Sequence, residues 1–192
     1  MIAEPNATDP IIARWIGRNS HDKLVGVEFG AGRFNYTQQL KTRARIGVEI
    51  FEPYVRDFNV LGVRKVAGDM RQYRNLGLPE FDVALIVDAL EHIPKDEGLE
   101  FLECLREDCS RILLYVPEGN WPQESDPWGY YNPHQSHQSE WSPEDFDDRW
   151  VITRWLDLGR NPTMFGVWNR DGSHDAYFLG VRTVRGPHAG PV

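Results

Sequence analysis

Val25-Gly26-Val27-Glu28-Phe29-Gly30-Ala31-Gly32-Arg33-Phe34 reads as a short buried strand, a glycine turn and the start of a helix. The first glycine of the turn permits a sharp change of direction. The second lets backbone N–H groups approach a ligand with no side chain between. Such a strand–turn–helix makes a nucleotide-type site at the carboxyl edge of a parallel sheet. An ordinary βα turn can also contain two glycines, so the neighbouring chain must decide.

After the turn, residues 34–41 suit a first crossover helix and 44–50 a second strand carrying Glu49 at its end. Glu49 falls about 20 residues past the glycines, where an acidic side chain can accept hydrogen bonds from ribose hydroxyls. Residues 53–58 suit a short helix and 63–67 a third strand, followed by Gly68-Asp69-Met70. Residues 81–87 are a nearly unbroken apolar run ending at Asp88, which is how a central parallel strand reads when both faces are covered. Residues 95–108 are amphipathic, with Leu99, Leu102 and Leu105 on the apolar side, and 111–116 form the next strand. This alternation over 24–116 predicts an α/β fold of right-handed βαβ units.

Before the turn, Thr8 and Pro10 mark a helix start, and Ile11, Ile12, Trp15 and Ile16 share one face. That helix, ending over 17–22, is expected to lie against the sheet as a lid over the site. Residues 118–140 are a long loop rich in Pro, Gly, Asn, Gln, Ser and His, and carry Trp121, Trp128, Tyr130 and Tyr131 ahead of Trp141. A loop of this length is commonly functional, and its aromatics favour an ordered flap. Ser142-Pro143-Glu144-Asp145 is a capped helix start. Residues 150–157 and 175–184 read as two last strands, with a turn-rich stretch over 160–173 between them.

The 192 residues, 41% of them hydrophobic, suit one domain over 1–185 with a flap at about 117–142 and a flexible tail over 186–192. No apolar run approaches the roughly 20 residues of a membrane helix. Residues 1–10 lack the basic and apolar parts of a signal peptide, so a cytoplasmic protein is expected. Cys104 and Cys109 make no Cys-x-x-Cys motif and read as reduced thiols. A net charge of −8 argues against a nonspecific nucleic-acid binder. Arg43, Arg45, Arg64, Lys65, Arg71 and Arg74 form either a local basic patch or scattered solvated charges.

Taken in order, Glu28-x-Gly30-x-Gly32, Glu49, Gly68-Asp69-Met70 and Asp88-Ala89-Leu90-Glu91-His92-Ile93-Pro94 resemble the class I S-adenosylmethionine-dependent methyltransferases. The resemblance covers 24–184. It implies a Rossmann-like, seven-stranded, mostly parallel sheet of order 3-2-1-4-5-7-6, one strand antiparallel, flanked by helices. The competing nicotinamide fingerprint wants a third glycine where this chain has Asn35, and Glu28 is no part of it. Many family members carry a further glycine at the position of Phe34. The implied cofactor is S-adenosyl-L-methionine, with S-adenosyl-L-homocysteine as its product. The resemblance gives its methionine end to Glu28, Phe29, Gly30, Ala31 and Gly32, with Asp88 and Ala89 near the amino-acid moiety. It gives the ribose to Glu49 beside Ile50, and the adenine to Asp69 and Met70. Each of these carboxylates could instead cap a following helix.

A hydroxyl acceptor profits from a general base within hydrogen-bond reach. His92 follows Asp88 and Glu91 at a strand exit, and His134 and His137 lie in the flap. In related methyltransferases a histidine just before a Ser/Glu-Trp-Ser/Thr helix start faces the acceptor pocket, which singles out His137, with His92 and Glu91 as its catalytic company. Asp88-x-x-Glu91-His92 with His137-x-x-Glu140-Trp141 also looks like the cluster by which small-RNA ribose methyltransferases and some quinone O-methyltransferases hold a divalent ion. Here the first acid is the shorter Asp88, and the same Glu-His pair occurs in methyltransferases without metal, so no metal ligand is assigned. The expectation is methyl transfer to a small-molecule hydroxyl, with no membrane or nucleic-acid partner. The alternatives are a metal-assisted methyltransferase of RNA ribose or another vicinal diol, an NAD(P)-dependent oxidoreductase, and a non-catalytic nucleotide-binding module.

Overall fold

The computed structural model describes residues 10–123, 126, 128–155 and 162–173. The chain runs α1 (Pro10–Asn19), β1 (Val25–Phe29), β2 (Ala44–Glu49), α2 (Glu52–Asp57), β3 (Arg64–Ala67) and β4 (Val83–Val87). It continues through α3 (Lys95–Asp108), β5 (Arg111–Pro117), β6 (Val151–Trp155) and β7 (Thr163–Asn169). The seven strands form one sheet in the expected order, β3-β2-β1-β4-β5-β7-β6. β3 to β5 are parallel, and β7 runs antiparallel to β5 and β6. The strand order reverses between β1 and β4, which opens a crevice at the carboxyl edge.

Period-two alternation sorts the side chains of the central strands onto two covered faces. Ala84 and Ile86 of β4 join Phe29, Ile112 and Leu114 against Phe101, Leu102 and Leu105 of α3. Val83, Leu85 and Val87 point the other way, to Ile12, Trp15 and Ile16 of α1. Leu99 stands at the rim of the buried stripe of α3 and is 38% exposed.

Several expected elements differ. Residues 34–41 make a single 3-10 turn, Thr37–Gln39, and not a helix. The cause lies at Phe34, whose φ of 63° turns the chain back. Its ring is fully buried against Gly47, where a Cβ would come within 2.4 Å of the ring. Phe34 thus takes the glycine-like backbone conformation itself and fills the space that Gly47 leaves open. The Glu28 carboxylate then holds the crossover by accepting from both the backbone N–H and the hydroxyl of Thr37.

α1 is not a lid. It packs on the sheet face, and none of its residues lines the cavity described below. Its expected cap, Thr8, lies outside the described residues. The last strand, β7, occupies the stretch read as turns. Its pairing with β5 from Arg111↔Asn169 to Pro117↔Thr163 overrides the local signal. Residues 175–184 and the tail lie outside the described residues. Ser142 and Asp145 form the expected capping box, but on one 3-10 turn, Pro143–Asp145.

The basic residues form no single patch. Arg45, Arg64 and Lys65 donate to backbone carbonyls of Gln38, Gly77 and Val55, while Arg71 and Arg74 pair with carboxylates. Cys104 and Cys109 are free thiols, and burial pushes that of Cys109 up to about 12. Among the described residues no helix is long and apolar enough to cross a membrane.

Candidate active site

The crevice is a cavity of about 760 Å³, inside the range of about 300–1,000 Å³ usual for small-molecule sites. Its floor is the glycine turn. Gly30 and Gly32 have φ of 68° and 51°. A Cβ on Gly30 would lie 2.4 Å from that of Ala89, and one on Gly32 would lie 2.8 Å from the Trp128 ring. Conformation and space therefore both demand bare backbone here. Glu49 locks the turn to the end of β2: its Oε2 accepts from Gly32 N–H at 2.8 Å and its Oε1 from Phe51 N–H at 2.9 Å. The Ile50 backbone adds a third bond, and since a carboxylate has about four acceptor sites, acceptor capacity remains for a ligand. Burial raises the Glu49 pKa, and the N–H bonds of Phe51 and Gly32 oppose that rise.

Ala31, Ile50, Met70, Asp88 and Ala89 line the cavity with these residues. Phe29 does not: it is fully buried among Tyr73, Phe81 and Phe101. Glu28 lines the cavity but is tied to Thr37. Burial pushes it up to about 8 against the Thr37 bonds, so it is largely protonated at neutral pH. Asp69 caps the 3-10 turn Met70–Asn75 through Arg71 N–H at 2.9 Å and pairs with the Arg71 guanidinium, which also reaches Glu97. Burial works upward on Asp69, but Arg71 holds it below its ordinary value. Asp88 is exposed at the strand exit with a φ of 45°.

The other wall is the segment 118–141, and hydrogen bonds zip its ends to the sheet. Gly119 N–H donates to Trp141 at 2.8 Å, and Gln138 N–H donates to the Glu91 carbonyl at 2.7 Å. The Gln138 side-chain amide donates to the His92 carbonyl at 2.7 Å. These ties bring His137 to His92, ring centroids 4.9 Å apart, with His137 Nε2 4.0 Å from Glu91 Oε1. Glu91, His92 and His137 each offer a ligand atom within 4.8 Å of the others. Glu91 is 2% exposed, and its Oε2 has no hydrogen-bond partner among the described residues. Burial, and then the charge of Asp88, raises its pKa well above the ordinary value.

Burial, and then His137, lowers His92 to about 4. Its Nδ1 lies 3.4 Å from the Ser136 carbonyl, and the Gln135 backbone also hydrogen-bonds the ring. Burial also lowers His137, against a hydrogen bond to the Trp121 backbone. His134 lines the cavity as well.

A measurable consequence is that the His92 ring titrates near 4 by NMR instead of near its unperturbed 6.5. Between those values the unfolded chain binds more protons than the native one. This contribution is therefore fully present above pH 6.5 and is lost as pH falls towards 4. A His92 titration at its ordinary value contradicts this placement.

The middle of the wall, missed by sequence reasoning, folds over the glycine turn. The Arg33 guanidinium lies 4.8 Å from the Trp128 ring and 5.1 Å from that of Phe58. Tyr54 donates its hydroxyl to Asp126 and meets Trp128 and Tyr130 at 5.0 and 5.3 Å. The only local signal was the aromatic density of the flap.

No protein-family model matches the chain, and no curated protein matches it in sequence. Solved structures do. The N-terminal domain of EvdMO1, determined with S-adenosylhomocysteine and D-fucose present, aligns at TM-score 0.58 and 15% identity over 86% of this chain and 84% of that one. Magnesium protoporphyrin IX methyltransferase from Synechocystis PCC 6803, with bound S-adenosylhomocysteine, aligns at 0.57 and 13% over 84% and 81%. The small RNA methyltransferase HEN1 aligns at 0.57 and 16% over 84% of this chain but 24% of that one. At these identities the likeness is one of fold, and the sheet order, the antiparallel β7 and the site at the carboxyl edge agree with it: the chain has the fold of the class I S-adenosylmethionine-dependent methyltransferases.

Proposed function

We propose that the protein is an S-adenosylmethionine-dependent methyltransferase acting on a hydroxyl of a small molecule. The observation that carries this is one cavity joining a bare glycine turn, locked by Glu49, to the His92–His137 pair. The residues present fit the cofactor. Gly30, Ala31 and Gly32 would cradle its methionine end, near Glu28, Asp88 and Ala89. Glu49 beside Ile50 has acceptor capacity for the ribose, and Met70 and Asp69 stand at the adenine position. When bound, the cofactor supplies an electrophilic methyl group on a sulfonium. The chain's own task is to hold an acceptor hydroxyl in line, exclude water and take its proton. His137 or His92 suits the last role, since burial lowers the pKa of both imidazoles.

A second reading places a divalent cation at Glu91, His92 and His137. It is favoured by three ligand atoms within 4.8 Å and by the unpartnered Glu91 Oε2. A cation there would draw the proton off Glu91 and lower the pKa of a bound hydroxyl.

Calorimetric titration of S-adenosylhomocysteine, with NAD as the control, tests the first reading. Saturable heat from the former alone is expected. No heat from it in folded protein sinks the reading, and heat from NAD restores the oxidoreductase alternative. Manganese heat that disappears in His137→Ala supports the second reading. Undiminished methyl transfer in chelator removes it.

A further inference from the structure

We infer that the acceptor is an uncharged, sugar-like vicinal diol read by the paired side-chain amides of Gln123 and Gln135; this deepens the methyl-transfer reading and rests on it. Gln123 Nε2 donates to Gln135 Oε1 at 3.0 Å, and both residues line the cavity. That bond uses an N–H of one amide and the oxygen of the other. Gln123 Nε2 also reaches the Gln135 backbone carbonyl at 3.4 Å, which leaves the Gln123 oxygen as an acceptor and the Gln135 nitrogen as a donor on two residues that line the cavity. Adjacent hydroxyls are the complement: one donates to the first amide while the other accepts from the second.

The pair is also fixed to the chemistry. The Gln123 carbonyl accepts the backbone N–H of His137 at 3.3 Å. The Gln135 backbone also hydrogen-bonds the His92 ring, so both glutamines belong to the segment that meets the His92–His137 pair. Trp121, whose indole N–H donates to the Glu118 carbonyl, lines the same end and offers apolar surface to the C–H face of a polyol.

Charge selects against phosphate. Among the described residues lining the cavity, the Lys and Arg side chains are Arg33 and Arg71. Arg71 is taken by Asp69 and Glu97, and Arg33 is stacked between Trp128 and Phe58 over the glycine turn. The described lining residues after Val87 include no Lys or Arg but do include Asp88. A nucleic-acid backbone would enter there without the cations that normally hold it.

The test begins with S-adenosylhomocysteine calorimetry. The loaded protein is then observed by saturation-transfer NMR with cis-1,2-cyclohexanediol, methyl α-D-glucopyranoside, cyclohexanol and a deoxyribodinucleotide, which has a phosphate but no vicinal diol, as probes. The diol and the glycoside are expected to bind at least about tenfold tighter than cyclohexanol, because a site built for two hydroxyls is left unpaired by one. Gln135→Glu keeps the bond from Gln123 but removes the donor, and Gln123→Leu removes the acceptor. Each should abolish the preference while cofactor-product affinity stays within about twofold of wild type. Equal binding of cyclohexanol, displacement by the dinucleotide, or no diol signal on loaded protein overturns the inference. Failure of the first titration overturns the methyl-transfer reading instead.

Discussion

Glu49→Ala is expected to weaken S-adenosylhomocysteine binding by about 10²–10³-fold. Two hydrogen bonds from ligand hydroxyls to an ionised acceptor contribute roughly 3–4 kcal/mol together. The substitution also takes the acceptor from the Gly32 and Phe51 N–H groups, so the turn loses its tie to β2. Glu49→Gln retains one acceptor oxygen and should fall between wild type and alanine, at about a tenfold loss. Calorimetry on both variants measures this, with circular dichroism to show that the sheet is intact. An alanine variant with wild-type affinity would falsify the ribose assignment and leave Glu49 a purely structural lock.

What the sequence made legible follows from where the information sits. β1, β4 and the glycine turn were readable because burial on both faces and the need for bare backbone are local demands on local residues. The same holds for Glu49, which a strand of ordinary length carries to the sheet edge. The first crossover was misread because its structure is decided at a distance. Phe34 turns back only because Gly47, on the next strand, leaves room for its ring, and the turn after it is held by Glu28 from the strand before. β7 was misread for a related reason. Its Pro, Gly and Asn neighbours signal turns, and only pairing with β5 makes Thr163–Asn169 a strand.

The site divides in the same way. The strand-end residues named by the family resemblance line the cavity, Phe29 excepted, because adjacent positions on a strand face opposite ways and its side chain goes to the core. On the acceptor half, His92, His137 and Glu91 were found as residue types, but their convergence depends on the zipper from Gln138 to Glu91 and His92. Trp128 was named only as one of the flap aromatics, and Arg33, Gln123 and Gln135 were not singled out. Nothing in their neighbourhoods in the chain indicates that the flap doubles back over the turn, or that two glutamines twelve residues apart meet.

Trp141→Ala tests that dependence, and should be the most destabilising of the changes considered. Trp141 is fully buried, packs 5.7 Å from Phe146, and fits against Gly98, where a Cβ would approach within 2.9 Å. Truncating such a side chain removes about 3–5 kcal/mol, equivalent for a chain of this size to a fall of roughly 6–20 °C in the unfolding midpoint. Trp141→Phe should lose less than half of that. The larger consequence is local. The Trp141 carbonyl holds Gly119, and its indole N–H donates to Ser139 at 2.9 Å, so the residue clamps both ends of the flap. Without the ring, the segment that carries His137 loosens from Glu91 while the sheet persists. His92 then loses the two largest causes of its depressed pKa, its burial and the neighbouring His137. In folded Trp141→Ala protein its NMR titration should move up from about 4 towards 6.5. A lower midpoint with an unmoved His92 titration would mean that Trp141 serves the core alone, and that the histidine pair is held from the sheet side without help from the flap.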